Sequence, residues 1–339
     1  MLFRSDVDGG GFQTLMHQFH FGTHLDAQLG VEVGQRFVEQ VEHWRRLAAP
    51  LRSDTSPSAG DELILYQVLL GSWPLDADFA DYQSRLWQWQ QKALREAKLH
   101  SSWSAPNEAY EQGVEAFLAR LLQSDAGHAL RTAIGDAAVA IARAGAINGL
   151  AQSLLRITVP GVPDLYQGAE FWDFSLVDPD NRRPVDFSAR QQALQTPPDI
   201  GDLLFHWRDG RIKQAVIAQA LALRKAHPGL FRSGRYLPLQ VLGKHAAHVV
   251  AFAREYQGKH LVVVVPRWSQ QLLENGVQPL INAQVWGDTR VVLPFAATAQ
   301  KWKGLFHTGA VTPTKELFLS TALGDFPVNV FVNPDDQES

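Results

Sequence analysis

From Val33 to Leu47 the apolar residues Phe37, Val41 and Trp44 recur at helical intervals with Glu and Arg between them, which predicts an amphipathic helix. Pro50 and the run Ser53-Asp54-Thr55-Ser56-Pro57-Ser58 end it. A short apolar helix is predicted next, capped by Asp61, running through Leu70 and closed by Gly71-Ser72-Trp73-Pro74. Between Phe79 and Leu99 the series Tyr82, Leu86, Trp89, Ala93, Ala97 steps by three or four, with Glu, Lys and Arg on the other face, so a long surface helix is expected. Pro106-Asn107-Glu108 starts another helix through Leu122, and Gly127 to about Arg156 reads as an Ala-rich helix whose small residues allow close packing.

The pattern changes at Ile157-Thr158-Val159, a β-branched run ended by Pro160-Gly161-Val162-Pro163, which predicts one buried parallel strand emerging into a loop. A long polar loop follows, then a helix from Gly210 to His227 with Pro228-Gly229 as its stop. From Tyr236 onward strands are predicted at Tyr236 to Leu242, His248 to Arg254, Leu261 to Pro266, Thr289 to Leu293, Trp302 to Phe306, Glu316 to Leu319 and Val328 to Val332. Regular turns between them suggest an antiparallel β-sandwich. Helices first and strands last make the class α+β. The expected organisation is an irregular Gly- and His-rich lead-in over 1–30, a mainly helical region over 31–232, and a β-sandwich domain over 233–339.

Composition narrows the function. A formal net charge of -4 offers no clustered cation footprint for nucleic acid or anionic lipid, so neither partner is expected. The absence of cysteine removes disulfides, thiolate nucleophiles and cysteine-ligated metals, in keeping with a reducing compartment. The N-terminus lacks a basic patch followed by an apolar run, and the apolar stretch Ala137 to Ile147 is interrupted by Arg143, so a cytoplasmic protein is expected. No Gly-rich phosphate loop follows a strand and no metal-spaced carboxylate cluster occurs, so no cofactor is expected. His17, His20 and His24 would share one helical face, but without an acidic companion they are weak metal ligands, and no metal is assigned.

The densest mixture of acids, amides, arginines and aromatics outside a helix runs from Pro160 to Phe187. Sugars are recognised by such mixtures: carboxylates and amides bridge vicinal hydroxyls, guanidinium presents a rigid donor fork, and rings cover the apolar sugar faces. Tyr166, Gln167, Glu170, Asp173, Asp178, Asp180, Asn181, Arg182, Arg183 and Asp186 are therefore the candidate substrate contacts. Asp178-Pro179-Asp180-Asn181 is equally a turn, with Arg182 and Arg183 as ion-pair partners. His100, Trp103, Asn107 and Glu108 are candidates for lining an acceptor pocket, although Asn107-Glu108 also suits a helix start.

Val159 to Gly168 with Glu170 resembles the eighth barrel strand and following loop of the α-amylase superfamily, where Pro-Gly-x-Pro-x-x-Tyr-Gln-Gly-x-Glu recurs. The continuation from Trp172 to Phe187 resembles one branch of it, the maltooligosyl trehalose synthases. Leu65 to Pro74 and Lys92 to Glu111 are similar to the same branch, in the same order. The resemblance implies the last strand and helix of an α-amylase-type (β/α)8 barrel, followed by the β-sandwich. It implies a maltooligosaccharide or other α-1,4-glucan as substrate and an intramolecular transglucosylation, α-1,4 to α,α-1,1, with retention. Retention needs a carboxylate nucleophile and a carboxylic acid/base about 5 Å apart. In the superfamily these follow the fourth and fifth barrel strands, and neither maps onto this chain. The third, transition-state-stabilising carboxylate falls nearest Asp26, within Gly22-Thr23-His24-Leu25-Asp26, where Leu separates His from Asp and no Lys-Arg follows. The chain alone is thus expected to be inactive. A non-catalytic glucan-binding or scaffold protein, or a half-enzyme that self-associates or is complemented by an N-terminal half, are the alternatives.

Overall fold

Residues 37–74, 79–196, 198–295, 301–307, 309–313 and 315–333 are described by the computed structural model of this chain. Asp26 and the histidines His17, His20 and His24 lie outside them. The described residues form two compact units, one from those up to Ala140 together with Asp173–Pro184, the other from Ile141–Trp172 together with those from Val185 onward.

The first unit is helical. Helix α1 (37–48) buries Trp44 on the predicted stripe. In α2 (Ala59–Ser72) the cap is Ser58 rather than Asp61. The Ser58 hydroxyl accepts from the Asp61 amide at 3.2 Å and donates to its carboxylate at 2.6 Å, so Asp61 sits inside the first turn and answers the cap. Leu65, Tyr66, Val68 and Leu69 are all buried. Helix α3 (Phe79–Ala97) turns Tyr82, Leu86 and Trp89 inward as its periodicity predicts, and α4 (Glu108–Gln123) starts at the Asn107 cap. Their apolar faces share one core with Leu130, Ile134 and Ala137 from α5 (His128–Thr158), and Leu176 of the 173–184 segment joins it.

Helix α5 has the length and composition of a membrane span. Its Leu130, Ile134, Ile147, Leu150, Leu154 and Ile157 are nevertheless fully buried in protein, as in a core helix. This helix also corrects the expected barrel strand at Ile157 to Val159, because Ile157 and Thr158 are its last turn. A short β-branched run is ambiguous between a buried strand and a buried helix end, and here the helical stripe of Leu150, Leu154 and Ile157 continues through it. The Thr158 hydroxyl, buried in that last turn, donates back to the Leu154 carbonyl at 2.7 Å. Arg224 takes the Ile157 carbonyl at 2.8 Å and Arg254 the Thr158 carbonyl at 3.2 Å, closing the end of the helix with positive charge where its dipole is negative. Pro160 then prevents continuation.

The predicted polar loop before Gly210 contains two short helices, α6 (Phe187–Gln195) and α7 (Ile200–Phe205), each with an aspartate cap, Asp186 and Asp199. Helix α8 (Arg211–Ala226) begins at Gly210, whose φ of 84° suits glycine, and α9 (Pro228–Arg232) follows. The strands are β1 (Arg235–Pro238), β2 (Val241–Leu242), β3 (Val249–Tyr256), β4 (Lys259–Pro266), β5 (Arg290–Val292), β6 (Trp302–Gly304), β7 (Ala310–Val311), β8 (Glu316–Phe318) and β9 (Asn329–Val332). They form a six-stranded sheet in the order β1-β3-β4-β9-β6-β7 and a three-stranded sheet β2-β5-β8, all pairings antiparallel. The single strand expected over Tyr236 to Leu242 is divided between the two sheets.

The larger sheet is covered on both faces. Phe252, Val263, Val265, Val330 and Val332 pack with Leu204, Val216, Leu223 and Phe231 of the helices. Their neighbours Ala251, Ala253, Val262, Val264 and Phe331 pack with Val291 and Leu317 of the smaller sheet. Alternate residues of one strand point to opposite faces. That is why Leu261 to Val265 is an unbroken apolar run instead of an alternating one.

Candidate functional site

The two compact units divide the Pro160–Phe187 segment, and each part is held by its own surroundings. In the helical unit, residues 173–184 are fastened to α3. Arg85 forks onto the Asp180 carboxylate, Nε to Oδ1 and Nη2 to Oδ2, both at 2.8 Å, and donates to the Phe174 carbonyl at 3.1 Å. Asp180 also accepts the Leu176 amide at 2.7 Å. Its oxygens are therefore spent on shaping the segment. Lys92 holds the Asp178 carbonyl at 2.9 Å, and the Asp173 carboxylate accepts the Ser175 amide at 2.9 Å. Arg182 pairs with Asp178 at 2.5 Å while remaining 71% exposed, and Arg183 is half exposed at 3.6 Å from Asp81. Asn181 is partly buried. The segment thus presents two guanidinium groups outward from a backbone fixed by two buried-side contacts. Exposed pairs such as Arg183–Asp81 contribute little to stability and exchange readily for a ligand.

Arg85 and Lys92 were missed by sequence reasoning. Lys92 opens a family-like stretch, but nothing local marks the role of either, because Arg85 meets Asp180 and Lys92 meets Asp178, 95 and 86 positions away.

In the second unit, residues 160–172 and 185–190 are organised by Arg190. Its guanidinium donates to the carbonyls of Gly168 at 2.7 Å and Asp186 at 3.0 Å, pairs with Glu170 at 3.2 Å and lies over the Phe171 ring at 4.7 Å. Gly168, at φ 85°, is required twice over: a Cβ there would also meet Val185 at 2.9 Å. The Asp186 carboxylate caps α6 by accepting the Ala189 amide at 3.0 Å. Trp172 donates its indole N–H to the Trp207 carbonyl at 2.6 Å, with Lys213 over its ring and Gly149 leaving room for it. Tyr166 is half-buried and Gln167 is exposed. Upstream, burial lowers the pKa of Arg156, partly offset by Asp164.

The loop 98–107 of the helical unit is built on Glu111. Arg95 forks onto both carboxylate oxygens at 2.7 Å, the Ser101 hydroxyl donates at 2.5 Å and Gln91 at 3.1 Å. The Arg95 hydrogen bonds hold this buried carboxyl at about 2, Ser101 and Gln91 reinforcing them against the cost of burial. Ser101 in turn accepts the Asn107 amide at 3.0 Å. Of the four residues suggested for an acceptor pocket, His100 stacks on Tyr110 with ring centroids 4.5 Å apart, and Asn107 caps α4 through the Tyr110 amide at 3.2 Å. Glu108 is exposed in the first turn, and Trp103 is exposed at the loop tip with the Arg95 guanidinium against its ring. Among the described residues no group of three or more His, Asp or Glu is placed to hold a metal ion.

No family model matches the chain. Proteins named as maltooligosyl trehalose synthases in two strains of Mycobacterium tuberculosis, CDC 1551 / Oshkosh and H37Rv, are 34% identical to it over 322 residues, which is 93% of this chain and 36% of theirs. The chain therefore spans about a third of the length of these relatives, and it matches their C-terminal part. Among solved structures, maltooligosyltrehalose synthase from Arthrobacter ramosus superposes with a TM-score of 0.64 at 28% identity, over 86% of this chain and 35% of that one. A second maltooligosyl trehalose synthase structure shares the fold with a TM-score of 0.72 at 24% identity, over 94% of this chain and 38% of that one.

Proposed function

The chain is homologous to the C-terminal part of the maltooligosyl trehalose synthases, and from that premise we propose that it supplies glucan contacts and the C-terminal domain to an α-glucan-remodelling transglucosidase. The reaction is the intramolecular conversion of the α-1,4 bond at the reducing end of a maltooligosaccharide into an α,α-1,1 bond, as part of trehalose biosynthesis. The observation that carries this reading is made in each unit by itself: Arg85 and Lys92 fix residues 173–184 and leave Arg182 and Arg183 to solvent, while in the other unit Arg190 fixes the Gly168 and Asp186 backbone and Gln167 is exposed. Outward guanidinium and amide groups on a fixed backbone suit vicinal hydroxyls, because binding then orders side chains but no backbone. The two facing antiparallel sheets are read in the same way, as the family's C-terminal β-sandwich.

Retention demands a nucleophile and an acid/base about 5 Å apart, and no residue of this chain is assigned either role. The rearranged glucose must also stay bound until it attacks through its anomeric hydroxyl, so the share of the work proposed here is holding that sugar and excluding water. Two measurements test the proposal. Purified chain incubated with maltopentaose is expected to yield no trehalose-ended isomer, and formation of that isomer would overturn the division of labour. Calorimetry with maltooligosaccharides is expected to show binding that Arg183→Ala weakens at least tenfold, about 1.5 kcal/mol for a charge-assisted hydrogen bond; heat from neither protein would remove the glucan-contact reading.

A further inference from the structure

Trp103 is the one tryptophan among the described residues that is exposed, at 57%, whereas Trp44, Trp89, Trp207, Trp286 and Trp302 are 0–5% exposed. An indole left in water forfeits the burial that makes tryptophan useful to a fold. Its surroundings are the opposite of a loose loop. The Ser102 amide donates to the Ala105 carbonyl at 3.3 Å and the Ala105 amide to the Ser102 hydroxyl at 3.1 Å, closing a tight turn with Trp103 inside it. On the N-terminal side that turn is tied to Glu111 through Ser101, which also receives the Asn107 amide from the C-terminal side. Beneath the ring lies the Arg95 guanidinium, 5.0 Å from the centroid and itself locked by two bonds to Glu111. The indole is thus backed by a fixed cation while more than half of the residue's surface stays in water.

We propose that Trp103 is a rigid stacking platform for a glucose ring of an α-1,4-glucan, a role that rests on the glucan reading above and adds a contact to it. A flat aromatic face matches the axial C–H face of a glucopyranose, and the fixed turn means that no side chain needs ordering on binding. The exposed neighbours Ser104, Asn107 and Glu108 supply the hydroxyl, amide and carboxylate groups that sugar hydroxyls bond to at the rim of such a platform. Ala105, Pro106 and Leu99 are exposed in the same loop, and apolar area around an aromatic is what a protein contact would use, so light scattering stands beside the sugar titrations in the test.

The test is calorimetric titration of the purified chain with maltoheptaose, with cellohexaose as the β-1,4 control, for wild type, Trp103→Ala and Trp103→Phe, alongside light scattering. Trp103→Ala is expected to weaken maltoheptaose by about tenfold and Trp103→Phe by no more than about threefold, since a ring remains to stack on. Both variants should fold as wild type does by circular dichroism, because the side chain is exposed. Equal affinity for wild type and Trp103→Ala, with Arg183→Ala impaired, overturns this inference and leaves the proposed function standing. A Phe variant no better than Ala overturns stacking. A wild-type oligomer that Trp103→Ala dissociates makes the tryptophan a protein contact and overturns it as well, and a wild type that binds no glucan overturns both proposals together.

Discussion

At the scale of single residues, charge has been spent on shape. The Glu111 carboxyl is 3% exposed and receives Arg95, Ser101 and Gln91. Its pKa of about 2 lies below the ordinary 4.5, so the folded state binds fewer protons than the unfolded one. The stabilisation is therefore complete above about pH 4.5 and is lost as the pH falls from there through about 2. Glu111→Gln is expected to lower stability at pH 7 by about 3 kcal/mol and to flatten the dependence of Tm on pH below 4.5, checked by thermal melts from pH 3 to 7. Sequence could point to Asn107 as a cap and to Arg182 and Arg183 as polar, because those are local statements. The roles of Glu111 and Asp180 could not be read that way, since each depends on an arginine brought from another helix.

At the scale of elements, the outcome at Ile157-Thr158 shows tertiary context overriding local preference. Three β-branched residues before a proline read as a strand, yet the apolar stripe of α5 and the arginines at its end hold the first two, Ile157 and Thr158, helical. Arg254 is 2% exposed and donates to the carbonyls of Thr158, Phe231 and Gly234 at 3.1–3.2 Å. Burial and the nearby Arg224 lower its pKa. Arg254→Ala is expected to cost about 3 kcal/mol in urea denaturation, because it strands three buried carbonyls and leaves a cavity. The missed helices α6 and α7 have a different cause: α6 buries no residue, so it carries no apolar period to detect and rests on its Asp186 cap and on Gln214, which holds the Arg190 carbonyl at 3.0 Å.

At the scale of the whole molecule, relatives about three times longer than this chain frame the remaining prediction. Mixing the purified chain with a separately produced polypeptide that corresponds to the N-terminal part of those relatives is expected to restore conversion of maltopentaose to its trehalose-ended isomer, followed by product chromatography. Conversion no greater than that of the N-terminal polypeptide alone would refute complementation. What the sequence determined by itself was whatever rests on nearest neighbours: the helices of the first unit, most strands of the second, and the signature from Val159 to Phe187 with the proteins it resembles. Helix periodicity, caps and turn residues act within a few positions, so they are written in the order of the chain. The tertiary structure alone decided that β1 and β2 enter different sheets, that the larger sheet is apolar on both faces, that Ile157 ends a helix, and that Asp180 braces the segment while Arg183 faces outward. Those outcomes depend on which distant side chain arrives to satisfy a buried charge or carbonyl, and that is settled only when the chain has packed.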